Sequence, residues 1–311
     1  MSVSKHRAWI MAARPQTLPA AAAPVLVGCG VAIALGLFAP AVALAALGGA
    51  VLIQVGTNLA NDYYDAQQGA DTPDREGFTR VTAGGLIAPA VVYRAMIATF
   101  GLATMLGVVL VYVGGWPIVI IGLASIAAGI GYTGGPYPLG YHGLGELFVF
   151  VFFGLVAVVG TVYVQAMAPS AGGMPMLPPE GTIPLLAVVA GVPVGALSTA
   201  ILVINNHRDR REDAVTGKRT LAVRFGRRFA VLEFAALVLG AYLVVIGLAV
   251  WQSDTLWMAL PLVSLPWALQ LIATVRQGTD GEVLNPALES MGRLLAAFSL
   301  LLAIGIAIGG G

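Results

Sequence analysis

Charged side chains are scarce in this sequence of 311 residues, at 10% of the chain, whereas hydrophobic residues make up 58%. The mean hydropathy is +0.88. A soluble domain carries roughly 25% charged residues. The shortage therefore excludes a soluble globular protein, and the composition is typical of an integral membrane protein surrounded by lipid. The net charge of +1 gives no indication of a nucleic-acid partner, and none is expected.

Cysteine is nearly absent, since Cys29 is the only one and lies inside an apolar run. A single thiol excludes an internal disulfide and a cysteine-rich metal site. The sequence also lacks a convincing cleavable signal, because the small residues at 20–23 come before the apolar run and not after it. The N-terminus is therefore expected to be retained.

Long apolar runs occupy most of the chain, and about 20 apolar residues suffice for a helix to cross a bilayer. They predict an all-α membrane protein with nine transmembrane helices in a single domain, residues 1–311. The fourth run is short, and Gly114-Gly115 leaves only a tight turn before it. The runs lie near 18–38, 40–61, 90–113, 116–132, 145–167, 183–205, 229–251, 255–275 and 288–309.

The basic residues support this layout. All 16 Lys and Arg residues fall on one side of the membrane if the N-terminus is cytoplasmic. The opposite loops, near 39, 114–115, 168–182 and 252–254, contain none. Because cytoplasmic loops carry the excess of Lys and Arg, the pattern predicts a multi-pass protein of the cell membrane with a cytoplasmic N-terminus. With eight or ten spans, the basic residues would no longer all fall on one side of the membrane.

Two clusters of oxygen-bearing side chains stand out against the apolar background. They are NLANDYYDAQQGAD at 58–71 and NNHRDRRED at 205–213, and each lies at the end of an even-numbered span. Four spans separate them, so both have the same membrane orientation. This placement predicts a parallel internal repeat of helices 1–4 and 5–8, followed by helix 9. The two clusters are then expected to lie together on the cytoplasmic side.

The chemistry of these clusters indicates a metal-bound diphosphate. Carboxylates at helical spacing repel each other unless cations lie between them, and oxygen ligands suit Mg²⁺, which also binds phosphate. In so apolar a protein, the rest of the ligand is expected to be an isoprenoid chain. Metal ions and basic residues stabilise a leaving diphosphate, while a membrane cavity protects an allylic cation from water. A solvated loop would explain one cluster alone, but two equivalent clusters favour the metal site.

The acidic motifs resemble those of the UbiA superfamily of intramembrane aromatic prenyltransferases. Further stretches resemble one branch, the 1,4-dihydroxy-2-naphthoate polyprenyltransferases of menaquinone biosynthesis. They are ARPQTLPAAAAPVLVG at 13–28, QVGTNLANDYYDAQQGAD at 54–71, RVTAGGLI at 80–87, YTGGPYPLGYHGLGELFVFVFFG at 132–154, NNHRDRREDAVTGKRTLAVRFG at 205–226 and LNPALES at 284–290. The acidic motifs identify the superfamily, whereas RPQTLP, YTGGP and DAVTGKRTLAVRFG indicate the branch.

The resemblance implies a nine-helix bundle with a central cavity, a lateral opening for the prenyl chain and two Mg²⁺ ions, with Mn²⁺ as the alternative ion. The implied metal ligands are Asp62, Asp65, Asp71, Asp209 and Asp213. All of these except Asp71 are also the implied catalytic residues, because the metal ions draw off the leaving group. The implied diphosphate and substrate contacts are Asn58, Arg80, Asn206, Lys218 and Arg219. The implied reaction joins a polyprenyl diphosphate to 1,4-dihydroxy-2-naphthoate and releases diphosphate and CO₂, giving demethylmenaquinol.

Other residues are candidates for the acceptor side of the site. Arg14 matches a naphthoate carboxylate bidentately, although it also suits an interfacial anchor. Tyr132, Tyr141 and Glu146 flank the start of the fifth span, and Glu146 has either a substrate-side role or a favourable position at a helix N-terminus. The candidates for the base that deprotonates a naphthol hydroxyl are Asp65 and Asp71, and the sequence does not decide between them.

Two alternatives remain at this stage. One is a prenyltransferase of the same kind that acts on another aromatic acceptor, 4-hydroxybenzoate or homogentisate. The other is a membrane transporter, since repeats and kinked helices are common there. Transporters place ionisable groups near the membrane midplane, however, whereas the spans predicted here are nearly free of them.

Overall fold

A computed structural model describes residues 3–69, 77–251 and 256–310. Within these ranges the secondary structure is entirely helical. In the described part of the chain, eight helical segments are long and apolar enough to cross a membrane, and a ninth, Trp116–Gly131, is apolar but shorter. The predicted all-α architecture of nine spans, including the short fourth one, is confirmed. The candidate metal ligand Asp71 lies outside the described residues.

The first four spans are built from five helices. They are α1 (Lys5–Ala13), α2 (Leu18–Ala34), α3 (Pro40–Gln67), α4 (Pro89–Gly114) and α5 (Trp116–Gly131). A 3₁₀ turn, Pro15–Thr17, joins α1 to α2, so both helices belong to the first span. Proline at the first or second position of α3, α4 and α5 favours these helix starts, because no N–H is needed there. Gly115, with φ of 69°, makes the tight turn between α4 and α5.

The last five spans contain two irregular segments. Their helices are α6 (Gly145–Val149), α7 (Ala157–Ala166), α8 (Leu185–Val215), α9 (Leu221–Trp251), α10 (Leu265–Gln277) and α11 (Gly281–Gly309). A π-helix, Phe150–Val156, connects α6 to α7 within the fifth span. A Cβ added at Gly154 in this π-helix would lie 2.6 Å from the Gly195 Cα, so the fifth span packs backbone to backbone against α8. A 3₁₀ helix, Trp257–Ser264, precedes α10 in the eighth span.

The acidic clusters lie on helices that extend beyond the predicted apolar runs. The runs were expected to end near 61 and 205, but α3 continues to Gln67 and α8 to Val215. Both clusters therefore have helical geometry, in which side chains three or four residues apart share a face. This regularity decides which polar side chains can point toward a common cavity.

Packing places α8 at the centre of the bundle and α4 at its edge. In the apolar window of α8, 78% of residues are buried, against 22% in that of α4. In the first half, α3 packs mainly on α4, and in the second half α8 packs mainly on α9. The ninth span, α11, packs against α2 and α8 and so connects the two halves. These pairings agree with the order of helices in the predicted repeat.

Candidate active site

A polar cavity of about 220 Å³ is lined by residues from the C-terminal parts of α3 and α8. Residues of both acidic clusters line it, so two segments far apart in the sequence form one site. The predicted site residues that line the cavity are Arg14, Asn58, Asp65, Arg80, Tyr132, Tyr141, Asn206, Asp209, Asp213 and Lys218. The structure therefore brings most of the predicted site together.

Asp65 is a buried carboxylate, 2% exposed, that three side-chain donors contact. The Tyr141 hydroxyl donates to Oδ1 at 2.8 Å, and Lys218 Nζ donates to the same oxygen at 3.3 Å. Arg80 Nη2 donates to Oδ2 at 3.1 Å. A buried charge is tolerated when opposite charges and hydrogen bonds compensate it. Asp65 thus assembles two cations at one point of the cavity wall.

Lys218 connects the two acidic clusters. Its Nζ lies 3.3 Å from Asp65 Oδ1 and 3.9 Å from Asp213 Oδ1. It also lies 4.8 Å from the centre of the Tyr141 ring, within cation–π distance. Gly217, with φ of 81°, makes the turn after α8, and the Lys218 N–H then donates to the Asp213 carbonyl at 2.8 Å. This turn directs the Lys218 side chain back into the cavity.

Asp209 is held by the residue that precedes it. Arg208 Nε and Nη2 donate to the two Asp209 carboxylate oxygens at 2.6 and 2.9 Å. The same guanidinium donates to Asn205 Oδ1 and Asn285 Oδ1 at 2.7 and 2.8 Å, and it lies 5.6 Å from the centre of the Phe78 ring. Sequence reasoning had assigned Arg208 only to the cytoplasmic excess of positive charge. In the structure it is a buried cation that pairs with Asp209.

We expect that replacing Arg208 by methionine lowers the free energy of unfolding by about 3 kcal/mol, since the buried Asp209 would lose both hydrogen bonds from the guanidinium. Thermal unfolding in detergent measures this loss. Arg211→Met is the matched control, because Arg211 is exposed on the same helix. Equal midpoints for the two variants would contradict a compensating role for Arg208.

The amide of Asn58 fixes the corner of the site that carries Arg14. Asn58 Nδ2 donates to the Ala13 carbonyl and to Thr17 Oγ1, both at 2.9 Å. Gln54 Nε2 donates to the same hydroxyl at 3.1 Å. These bonds tie α3 to the turn between α1 and α2, where Arg14 adopts a left-handed φ of 51°. Asn58 therefore has a structural task in addition to its place in the cavity wall.

Tyr132 and Asn206 form the part of the wall nearest the fifth span. Asn206 Nδ2 donates to Glu146 Oε1 at 2.8 Å, and Glu146 lies behind Asn206, outside the cavity lining. Burial raises the pKa of the Tyr132 hydroxyl, and the carboxylates of Glu146, Asp213 and Asp65 raise it further. Tyr132 therefore stays protonated and is a hydrogen-bond donor at the cavity.

Two more predicted site residues point away from the cavity. Asp62 accepts hydrogen bonds from the backbone N–H groups of Val81 and Thr82, and it does not line the cavity. Arg219 lines a separate outer depression of about 420 Å³, because adjacent residues after α8 project in different directions. The predicted roles of Asp62, Glu146 and Arg219 as direct ligands thus receive no support from their positions.

One face of α8 adds residues that sequence reasoning missed. Ser198 and Leu202 line the cavity together with Asn205, Asp209 and Asp213 of the second acidic cluster. Their spacing of three or four residues continues the helical face that carries Asp209 and Asp213, and this periodicity was the available signal. The Ser198 hydroxyl is buried and has no hydrogen-bond partner among the residues that the structure describes.

A second, apolar cavity of about 500 Å³ adjoins the polar one. It lies among α2, α3, α4, α5 and the fifth span. Five residues line both cavities: Gln54, Thr57, Tyr132, Val149 and Phe153. The two spaces together accept a ligand with a charged head and a long apolar tail.

Acidic and basic side chains alternate around the polar cavity. Across the three described ranges, no three Asp, Glu, His or Cys side chains converge closely enough to hold a metal ion. Lys218, Arg80 and Arg208 instead contact the carboxylates. The donors are nevertheless all oxygen, and carboxylates around a polar cavity suit Mg²⁺ when phosphate oxygens complete its shell. The donor set therefore fits a divalent cation that arrives with an anionic ligand.

An all-helical membrane bundle with a charged cavity beside an apolar one has the architecture of a membrane-embedded prenyltransferase. The chain belongs to the UbiA prenyltransferase family, whose model matches residues 21–285. This membership confirms the resemblance found in the acidic motifs.

Known relatives cover nearly the whole chain. The sequence is 38% identical, over 97% of each chain, to the 1,4-dihydroxy-2-naphthoate octaprenyltransferase of Mycobacterium tuberculosis. The fold is similar to that of a UbiA homolog from Aeropyrum pernix K1, with a TM-score of 0.67, 16% identity and 98% coverage of each chain. A UbiA homolog from Archaeoglobus fulgidus bound to DMAPP and Mg²⁺ gives a TM-score of 0.58 and 13% identity, with coverage of 95% of this chain and 99% of that chain.

Proposed function

We propose that this protein transfers a polyprenyl group from a polyprenyl diphosphate to 1,4-dihydroxy-2-naphthoate, with release of diphosphate and CO₂, giving demethylmenaquinol. The observation that carries the proposal is the continuity of a cation-lined polar cavity with an apolar cavity of about 500 Å³. A polyprenyl diphosphate has this combination of head and tail. The 38% identity to the Mycobacterium tuberculosis octaprenyltransferase supports naphthoate as the acceptor.

The diphosphate is bound where Arg80 and Lys218 converge on Asp65. Both cations are buried to about nine-tenths, with side-chain exposures of 10% and 13%, so their attraction for an anion is only weakly screened. We propose Asp65, Asp209 and Asp213 as holders of two divalent ions, Mg²⁺ or alternatively Mn²⁺. When bound, these ions stabilise the charge that develops on the leaving diphosphate. The Mg²⁺ in the Archaeoglobus fulgidus homolog supports the use of a divalent ion.

The transfer takes place at the junction of the two cavities. The bond between the prenyl C1 and the diphosphate oxygen breaks, and the naphthoate ring carbon that bears the carboxylate forms a bond to C1. Loss of CO₂ then restores the aromatic ring. The apolar residues Val149 and Phe153 at the junction limit access of water to the allylic cation. Arg14 and Tyr132 line the cavity wall, and we assign Arg14 to orient the naphthoate carboxylate and Tyr132 to donate to an acceptor oxygen.

We propose that the enzyme lies in the cell membrane with the polar cavity on the cytoplasmic side. Residues near the ends of α3 and α8 line this cavity, and basic residues such as Arg80, Lys218 and Arg219 follow these ends in the sequence. The positive-inside rule then orients the cavity toward the cytoplasm, where the acceptor and Mg²⁺ are available.

A turnover assay tests the proposed function. Purified protein in detergent or lipid, with Mg²⁺ and a polyprenyl diphosphate, is expected to prenylate 1,4-dihydroxy-2-naphthoate and to act little on 4-hydroxybenzoate or homogentisate. EDTA is expected to stop turnover, and added Mg²⁺ to restore it. Preference for 4-hydroxybenzoate would overturn the acceptor, and turnover in EDTA would overturn the role of the metal. Substrate uptake into vesicles without any turnover would favour a transporter.

A further inference from the structure

We propose that Asp62 is a positioning residue that holds the loop carrying Arg80, although its motif suggests a metal ligand. We call Asp62 and the two backbone N–H groups that it accepts, those of Val81 and Thr82, the Asp62 clasp. This inference rests on the proposed function in one respect, the purpose of Arg80 at the diphosphate. The geometry of the clasp stands independently of it.

Both carboxylate oxygens of Asp62 are occupied by backbone donors. Oδ1 accepts from the Thr82 N–H at 2.8 Å, and Oδ2 accepts from the Val81 N–H at 3.1 Å. The residue is 2% exposed and lies outside the cavity lining. Hydrogen bonds to a charged acceptor are about twice as strong as neutral ones. Asp62 therefore satisfies two buried donors of the loop and does not line the polar cavity.

The neighbouring carboxylate of the motif has the opposite environment. Asp65, three residues later, lines the cavity and is contacted by Arg80, Lys218 and Tyr141. Positions three apart on a helix point about 60° apart, which is enough for one side chain to face the cavity and the other the adjacent loop. In the first acidic motif, the Asp65 carboxylate therefore faces the cavity and the Asp62 carboxylate faces the adjacent loop.

The loop that the clasp holds forms a compact turn. The Gly84 N–H donates to the Arg80 carbonyl at 3.0 Å, and the Leu86 N–H donates to the Val81 carbonyl at 2.9 Å. A Cβ at Gly84 would lie 2.7 Å from the Arg80 carbonyl oxygen, so the turn requires glycine there. The Asp62 carboxylate receives the first N–H groups of this turn, as a capping side chain does at a helix N-terminus.

The clasp determines where Arg80 points. Val81, directly after Arg80, is fully buried against α3 and α4 residues such as Leu59 and Met96. With the Val81 N–H held by Asp62, the backbone at Arg80 has little freedom, and its guanidinium reaches Asp65 Oδ2 at 3.1 Å. Loss of the clasp is therefore expected to misplace Arg80 while leaving the cavity carboxylates unchanged.

Hydrogen–deuterium exchange of the Asp62→Asn variant tests this directly. The amide oxygen of asparagine can accept a hydrogen bond from one of the two N–H groups. Its NH₂ group is itself a donor and cannot accept a hydrogen bond from the other. We expect backbone amides at 81–86 to exchange about tenfold faster than in the wild type, equivalent to about 1.4 kcal/mol. Glu289→Gln, the same change of carboxylate to amide at an exposed ion pair with Arg293, is the control and is expected to leave this exchange unchanged. Unchanged exchange in Asp62→Asn would overturn the clasp.

Two further measurements separate a positioning residue from a ligand. Mn²⁺ binding in the presence of diphosphate, followed by EPR, is expected to stay within about threefold of the wild type in Asp62→Asn and to weaken at least about tenfold in Asp65→Asn. The KM for the prenyl diphosphate is expected to rise about tenfold in Asp62→Asn, with a smaller change in kcat. Weakened Mn²⁺ binding with unchanged exchange would make Asp62 a ligand. The exchange and EPR experiments require no turnover, so failure of the proposed acceptor would leave their result intact.

Discussion

Replacing Asp65 by asparagine is expected to lower kcat/KM for the prenyl diphosphate by about 10³-fold. Asp65 is the point where Arg80, Lys218 and Tyr141 meet, and in the proposed function it also holds a divalent ion. An amide of the same size lacks the charge that attracts these partners and the metal. Removal of a single stabilising group from a preorganised site costs about 10²- to 10³-fold, and Asp65 organises several such groups.

Steady-state kinetics with varied Mg²⁺ measures this effect. The matched control is Glu289→Gln, the same change of carboxylate to amide at an exposed i,i+4 pair with Arg293. It is expected to keep kcat/KM within about twofold, since exposed ion pairs contribute little. A folded Asp65→Asn enzyme with near-normal kcat/KM would remove Asp65 from the proposed chemistry.

Replacing Lys218 by glutamine is expected to lower kcat/KM about 10²-fold, whereas the same change at Arg219 is expected to stay within about threefold. Lys218 faces the polar cavity and contacts Asp65 and Asp213. Arg219 lines the outer depression, and its backbone N–H bond to the Tyr141 carbonyl at 2.8 Å survives the substitution. A neighbouring pair of basic residues thus allows a direct comparison of the inner and outer positions.

The comparison requires equal amounts of folded protein for both variants, checked by thermal unfolding in detergent. Much of the effect of the Lys218 substitution is expected to appear as a higher KM for the prenyl diphosphate. The lysine charge attracts the diphosphate both in the bound substrate and in the transition state. A larger loss at Arg219 than at Lys218 would show that the diphosphate enters or binds at the outer depression.

The span layout was predictable because each transmembrane helix satisfies its own backbone hydrogen bonds. In lipid, a local apolar run is therefore sufficient to define a span, as for the short fourth helix Trp116–Gly131. The helix ends were less predictable. The predicted second and sixth spans stopped where polarity began, but α3 and α8 continue through their polar clusters to Gln67 and Val215. Side-chain contacts with other segments, and not hydropathy, support the extra turns, as in the bonds of Tyr141 to Asp65 and of Arg208 to Asn285.

The site was predictable as a set of residues but not as an arrangement. Carboxylates are costly near a membrane, so the clusters at 58–71 and 205–213 were evident from composition and spacing. Arg208 was not evident, because eight basic residues lie between the sixth and seventh spans and nothing local distinguishes the one that pairs with Asp209. That distinction depends on Asn285 and Phe78, which come from other parts of the chain.

The sequence by itself determined the membrane class, the nine helices, the two acidic motifs and the family, because these follow from local hydropathy and short motifs. Only the tertiary structure decided which side chain of each motif faces the cavity. Asp62 and Asp65 differ by three positions, and Lys218 and Arg219 by one, so their roles separate only when the 80–87 loop and the turn after α8 are packed. The physical reason is that a helix or turn fixes how its side chains point relative to one another, whereas the groups that those side chains contact come from distant segments of the chain.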